Sequence, residues 1–375
     1  MKIERIELHH IELPLVHPFE TSFGLQTDRP CILVAVHAEG LTGWGECVAH
    51  SRPDYAPETN VTAWHVLADF LAPGLIGHPL RAPADIFSSP GYKMVRGHNM
   101  AKAALENAVW DLLARAQGVP LQTLLGASKT RVEVGVSIGI QPTLKDLLNR
   151  VNAFVAEGYG RIKIKIKPGW ELAPLRAIRA EHPALKLMAD ANSAFTLADA
   201  PLFRQMEPLN LLMIEQPLAH DDIIDHSELQ PQLNTPICLD ESIHTPGDAR
   251  LALKVGACRV INIKVGRVGG FSSAVAIHNI CAGAGIPVWC GGMLETGIGR
   301  AANLHLAGLP NFTLPGDISA TNRYYHEDIA EPAFSLNRQD STLSVPQGTG
   351  LGVTVQPDRV VKRRQRHTVI SGKSV

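Results

Sequence analysis

RIKIKIKPGW, residues 161–170, is the stretch on which the reading of the fold turns. Successive side chains of a strand point to opposite faces, so Lys163, Lys165 and Lys167 share one face and Ile162, Ile164 and Ile166 the other. On a solvent-facing edge strand such lysines blunt unwanted pairing. In a closed parallel barrel the isoleucines pack outward under helices and the lysines point inward. Interior ammonium groups then need counter-charges, because an unpaired buried charge is too costly to persist. The neighbouring segments decide between the two.

From about residue 131 the chain alternates apolar strand segments with stretches of helical periodicity. VEVGVSIGI, RIKIKIK, LKLMADA, LLMIEQP, PICLDES, RVINIKVG, IPVWCGG and FTLPGDIS are strand candidates, and the pattern predicts an α/β fold, a modified (β/α)8 TIM-like barrel over residues 131–325. Upstream, MKIERIELHHIELPL and CILVAVHAEGLTGWGECV read as antiparallel strands joined through the polar loop PFETSFGLQTDRP. In NMAKAALENAVWDLLARAQG, Ala103, Leu105, Ala108, Val109, Leu112 and Leu113 recur at helical spacing, and Gly118 with Pro120 stops the helix. Residues 1–130 are therefore expected to form an N-terminal α+β capping domain. Residues 326–375 are expected to return to that domain and to end in a basic, solvated tail containing KRRQRH.

Composition narrows the function classes. With 375 residues, 45% hydrophobic and 19% charged, the chain can bury a barrel-sized core and a smaller second domain. A formal net charge of −1 with no basic patch in the body of the chain argues against nucleic acid or a membrane surface as partner. Cys31, Cys47, Cys238, Cys258, Cys281 and Cys290 form no CxxC pair and read as reduced thiols in a cytoplasm. Neither a leader nor a run of 18 apolar residues is apparent.

The counter-charges for the lysines come at regular intervals. Lys165, Asp190, Glu215 and Asp240 follow one another at 25 residues, and Lys264 follows at 24, about one βα unit each. An Asp after a single strand is ordinarily a cap for the next helix. Five successive strands ending in Lys, Asp, Glu, Asp, Lys place those groups together at the C-terminal mouth, where barrel enzymes keep their chemistry. Three crowded carboxylates repel unless a cation sits between them, and oxygen-only ligands select Mg²⁺ or Mn²⁺. Lys165 and Lys264, four strands apart in a ring of eight, face each other across the mouth. That geometry suits removal of a proton next to a substrate carboxylate, with the cation stabilising the enediolate charge. A lysine base needs its pKa brought down toward neutrality, and Lys163 and the cation are expected to push Lys165 that way.

These residues, with the KxK strand, DANSAFTLADA, EQPLAHDD, KVGRVGG, GGMLETGIGRAANLHLA and LPGDISA, resemble the enolase superfamily. KxK with a lysine on the sixth strand resembles its muconate-lactonizing branch, and within that branch the o-succinylbenzoate synthases and N-succinylamino acid (N-acylamino acid) racemases. The resemblance implies Lys165 and Lys264 as opposed catalytic bases, or Lys264 as a cation over the enediolate in the synthase reaction. It implies Asp190, Glu215 and Asp240 as metal ligands, and Lys163 and Asn192 at the substrate carboxylate. Ser137, Gly291, Met293 and Asp317 are implied as pocket lining, Phe19 to Phe23 as a mobile cap over the substrate, and Arg267 as a substrate-binding arginine associated with racemization. It also implies a homo-oligomer acting on a small-molecule carboxylate.

Other readings stay open at this point. A dipeptide epimerase carries a DxD on the eighth strand to hold the substrate ammonium, whereas GDISA has Ser319 there, which favours an uncharged N-acyl group. A cycloisomerase or a non-catalytic binding barrel are the remaining alternatives, the latter opposed by the presence of all five charged residues. Cys290 reads as a small wall residue and His98, His244 and His326 as structural. KVGRVGG follows no Rossmann strand, which argues against phosphate binding.

Overall fold

The structure is a computed structural model and describes residues 1–372, so the last three residues of the expected basic tail lie outside the described residues. Three antiparallel strands, β1 (Arg5–Thr21), β2 (Gly24–Ala38) and β3 (Leu41–Cys47), lead the chain. Alternation gives their sheet two apolar faces. Ile6, Leu8, Val34 and Val36 pack with helix α1 (Asn99–Ala116), while Ile11, Leu13, Cys31 and Leu33 join the core of the second unit. A Cβ at Gly45 would stand 1.9 Å from the Ala104 carbonyl oxygen, and one at Gly43 2.1 Å from that of Ala108. Glycine at both positions is what lets β3 lie directly on the helix backbone.

Seven parallel strands follow in sequential order: β4 (Val136–Ile138), β5 (Arg161–Lys165), β6 (Lys186–Asp190), β7 (Ile214–Glu215), β8 (Ile237–Leu239), β9 (Val260–Ile263) and β10 (Val288–Cys290). The expected eighth strand, FTLPGDIS, is irregular and closes the ring by isolated bridges, Val134 with Gly316 and Val288 with Phe312. Gly135 N donates to Gly316 O at 2.8 Å on one side, and Asp317 N donates to Cys290 O at 2.8 Å on the other. Pro315 has no N–H to offer a ladder, which accounts for the break.

Every residue of β5 is buried. Ile162, Ile164 and Ile166 belong to the core between strands and helices, and Lys163 and Lys165 are turned inward. Below them Met188, Met213, Cys238, Val260 and Trp289 plug the barrel, with Lys163 Nζ 4.8 Å from the centre of the Trp289 ring. Lys167 departs from the expected file. The strand ends at Lys165, Lys167 bonds Trp170 in a turn forced by Pro168, and its ammonium lies 3.4 Å from Glu20 at the surface.

The KRRQRH run is not a free tail. Lys362 and Arg363 end a helix, Pro357–Arg363, and β11 (Arg364–Ser371) pairs antiparallel with β1 as the sheet's edge strand, with Ile370 against the apolar core. All six cysteines are free and buried. Among the described residues no helix is long and apolar enough to cross a membrane.

Two buried carboxylates of the capping unit dock it on barrel helices. Glu106 accepts from Phe271 N and, at 3.0 Å, Ser272 N at the start of α2 (Phe271–Gly283), and Glu46 accepts from Thr296 N, Thr296 Oγ1 and Gly299 N at the start of α3 (Gly297–Ala307). These are the otherwise unpaired donors of a helix N-terminus. Burial raises the Glu46 carboxyl from 4.5 to about 7, outweighing the hydrogen bonds from Thr296. The native state then holds this proton more tightly than the unfolded chain. Its contribution is full below pH 4.5 and is lost as pH rises through 7. Compared with Glu46→Gln, the wild-type chain should lose about 3 kcal/mol of unfolding free energy across that window. Urea titrations at several pH values check this, and parallel pH profiles for the two proteins would contradict it.

Candidate active site

The strands deliver their charged ends to one place. Lys165 pairs with Asp190 and Asp190 with Glu215 in the parallel register, so the three lie at one height. Lys165 Nζ donates to Asp190 Oδ2 at 2.6 Å, Lys163 Nζ to Glu215 Oε2 at 2.7 Å, and Lys264 Nζ to Asp240 Oδ2 at 2.8 Å. The three carboxylates are at most 1% exposed. Directly after these strands the backbone turns left-handed at Asn192 (φ 43°) and Gln216 (φ 35°). Such non-glycine conformations cluster at functional sites. Gln216 uses its position to fix Asp240, accepting from Asp240 N at 2.9 Å and donating to Ser242 Oγ at 2.6 Å.

Carboxylates set the electrostatics of Lys163 and Lys264. Burial opposes the charge on Lys163, but Asp317, Glu215 and Asp190 outweigh it and hold the ammonium above the ordinary lysine range. Lys264 is likewise raised, with burial outweighed by Tyr55, Glu215 and Glu241. Lys163 is thus a counter-ion to carboxylates more than a like charge to Lys165. Burial would raise Asp190, yet Lys165 and Lys163 keep it below the carboxylate range, whereas Glu215 is raised by burial and by Asp190.

A cavity opens above these groups. Lys163, Lys165, Lys264 and Asn192 line it, as do Ser137, Met293 and Asp317, and Phe19 and Phe23 reach it from the capping unit. Ser22 Oγ donates to Asn192 O at 3.2 Å, and Arg52 Nη2 to Phe23 O at 2.9 Å, fastening that loop over the mouth. Two expected pocket residues lie elsewhere. Arg267 is buried behind the wall, its guanidinium against Asp240 and on the carbonyls of Ile243 and Asn262. Gly291 faces inward, where a Cβ would meet Asn262 Oδ1 at 2.3 Å.

Asp317 is also committed. Arg161 Nη1 lies 2.6 Å from one of its oxygens and Lys163 Nζ 2.7 Å from the other. Burial is outweighed by these two cations, and the carboxyl falls well below its usual range. Ser319 is buried and donates to Gly135 O at 3.0 Å.

Several partners escaped the sequence reading. Asn262 stands two residues before Lys264 on the same inward face, as Lys163 stands before Lys165, and donates to Glu215 Oε1 at 2.7 Å. The period of two in INIK carried that signal. Tyr55, in the loop SRPDYAP, carried none. Its hydroxyl donates to Asp240 Oδ1 at 3.0 Å and accepts from Lys264 at 3.1 Å. Tyr55→Phe should lower kcat/KM by roughly 10- to 100-fold, the size of a hydrogen bond to a charged group, with an unchanged circular dichroism spectrum. An unaltered kcat/KM would show that the hydroxyl is idle.

The carboxylates fit a divalent cation by chemistry. Asp190, Glu215 and Asp240 are an oxygen-only donor set, the choice of a hard ion. Next to Asp240, Glu241 has a buried, unpartnered Oε2 and its other oxygen accepts from Asn192 Nδ2 at 2.9 Å. Among the described residues these three carboxylates do not bring one oxygen each within 4.8 Å of the other two, each being turned toward a lysine ammonium.

Comparison with known proteins places the geometry in company. A family model described as enolase C-terminal domain-like matches residues 146–359, and one described as mandelate racemase/muconate lactonizing enzyme, N-terminal domain, matches residues 5–126. An o-succinylbenzoate synthase of Geobacillus kaustophilus is 51% identical over 97% of this chain and 96% of its own length. An N-succinylamino acid racemase of Thermus thermophilus is 48% identical over 94% of this chain and 95% of its own. A solved structure from Listeria innocua, described as a member of the enolase superfamily, superposes with a TM-score of 0.94 at 43% identity, covering 99% of both chains.

Proposed function

The chain belongs to the enolase superfamily, in its mandelate racemase/muconate lactonizing enzyme family, and from that premise we propose that it is an o-succinylbenzoate synthase and N-succinylamino acid racemase. Both reactions begin with loss of the proton α to a carboxylate. The observation that carries the reading is that Lys165 and Lys264, from strands β5 and β9 four apart in the ring, line one cavity and each bond a different buried carboxylate.

Asp190, Glu215 and Asp240 would hold the ion, Mg²⁺ or Mn²⁺, which when bound stabilises the negative charge of the enediolate. The rest falls to the chain. Lys165 takes the α-proton on one face of the substrate, and in racemization Lys264 delivers a proton to the other. In the synthase direction Lys264 stays protonated as a cation beside the enediolate while Lys165 returns the proton it took to the departing hydroxyl, which leaves as water. Phe19 and Phe23 cover the mouth and exclude solvent. Asp317 is already charge-balanced by Arg161 and Lys163, and Ser319 adds no second carboxylate beside it, which supports an uncharged N-acyl group over a dipeptide.

The buried free thiols support a reducing cytoplasm, and family habit supports a homo-oligomer, which light scattering measures. A panel of N-succinyl amino acids, the synthase substrate and free dipeptides tests the activity. Turnover of the first two and not of the dipeptides is expected; dipeptide epimerization alone would overturn the reading.

A further inference from the structure

Among the described residues, three metal-ligating side chains have donor atoms within 4.8 Å of one another away from the cavity: Glu7 and His9 of β1 and His367 of β11. The strands arrange them without help from loops. Glu7 and His9, two residues apart, share a face, and His367 stands opposite His9 in the β1–β11 register. Their imidazoles stack with centroids 4.6 Å apart. Both present Nε2 to the same oxygen: Glu7 Oε2 is 3.6 Å from His9 and 3.2 Å from His367.

Those separations are informative. Ligands 2.0–2.1 Å from a tetrahedral ion stand about 3.3 Å from one another, and the observed distances bracket that value. The other carboxylate oxygen is held by outer groups. Glu7 Oε1 lies 3.1 Å from Arg5 Nε and 3.1 Å from His37 Nε2, whose own Nδ1 is 2.9 Å from Thr42 Oγ1. Such supports orient a ligand. His9 is only 7% exposed, and its Nδ1 is buried with no hydrogen-bond partner.

We propose that Glu7, His9 and His367 bind a borderline divalent cation, Zn²⁺ above all, in a site separate from the carboxylates of the barrel, and that the ion fastens β11 to β1. Two imidazoles and one carboxylate suit Zn²⁺, with the fourth position left to water, whereas the oxygen-only set in the barrel suits a hard ion. The site joins the two ends of the chain. It secures an edge strand whose side chains are mostly exposed and which is otherwise held by backbone pairing to β1, by Ile370 on the core and by Arg366 over the Trp64 ring.

The test uses the full-length protein in excess Mg²⁺, with Zn²⁺ uptake followed by equilibrium dialysis and the ligand field reported by the visible absorption of Co²⁺. Wild type should bind one Zn²⁺ per chain, show tetrahedral Co²⁺ bands and gain melting temperature on adding Zn²⁺. His367→Ala, on an exposed edge where alanine keeps the backbone pairing, should lose affinity by more than the 10- to 100-fold that an outer partner costs and lose the thermal gain. His9→Ala should do the same, and Asp240→Asn should retain the Zn²⁺. Absence of uptake by wild type, or equal affinity in wild type and His367→Ala, would overturn the proposal.

Discussion

Asp240→Asn should abolish turnover of both N-succinyl amino acids and the synthase substrate, lowering kcat by on the order of 10³-fold or more. The amide keeps the size of the carboxylate but takes one of three negative charges from the set that would hold the cation. Loss of that stabilisation costs several kcal/mol in the barrier, and each 1.4 kcal/mol is tenfold. The substitution also leaves the buried Arg267 and Lys264 without their shared partner, so a lower but still cooperative melting transition is expected. Wild-type protein freed of metal by exhaustive chelation should fall to the same activity and recover with Mg²⁺ or Mn²⁺, whereas the variant should not. Full turnover by chelated wild type would refute a metal-assisted reaction.

Lys165→Ala and Lys264→Ala should each abolish racemization, by on the order of 10⁴-fold, because inversion needs a proton removed on one face and returned on the other. The structure gives a reason to expect folded variants. Asp190 keeps Lys163 at 3.0 Å when Lys165 is gone, and Asp240 keeps Arg267 when Lys264 is gone, so neither truncation leaves a buried carboxylate alone. The loss should fall on kcat more than on KM, as it does when an interaction acts mainly in the transition state. Full racemization by either single variant would remove that lysine from the mechanism.

Much of this site was legible in the sequence because barrels convert sequence spacing into geometry. Alternation in RIKIK, with isoleucines that had to be covered, forced the lysines inward, and the 24- and 25-residue intervals placed the carboxylates beside them. Legibility failed where no period applies. Lys167 follows the alternation of the lysines before it, yet Pro168 turns the chain out of the barrel. FTLPGDIS had the apolar content of a strand but not the backbone donors. Tyr55 reaches the site from a capping loop with no register to the strands it serves. Arg267 was placed by resemblance at the substrate, while its guanidinium fits under Asp240 because the turn after β9 folds back. KRRQRH looked like a solvated tail because charge dominates it; its alternation toward Ile370 makes it an edge strand. Lys163, read as a like charge beside Lys165, is instead a counter-ion, because three carboxylates surround it and hold its ammonium above the ordinary lysine range.

The claim that two opposed lysines exchange the same α-proton is tested most directly by stereospecific exchange. L and D forms of one N-succinyl amino acid are incubated separately in deuterated buffer with each alanine variant, and α-deuteration is followed by NMR. Lys165→Ala should retain exchange with one enantiomer only and Lys264→Ala with the other, each slowed because the missing ammonium also stabilised the enediolate. If one variant exchanged both enantiomers while the other exchanged neither, a single lysine would carry all the proton transfer and the opposed arrangement would be wrong.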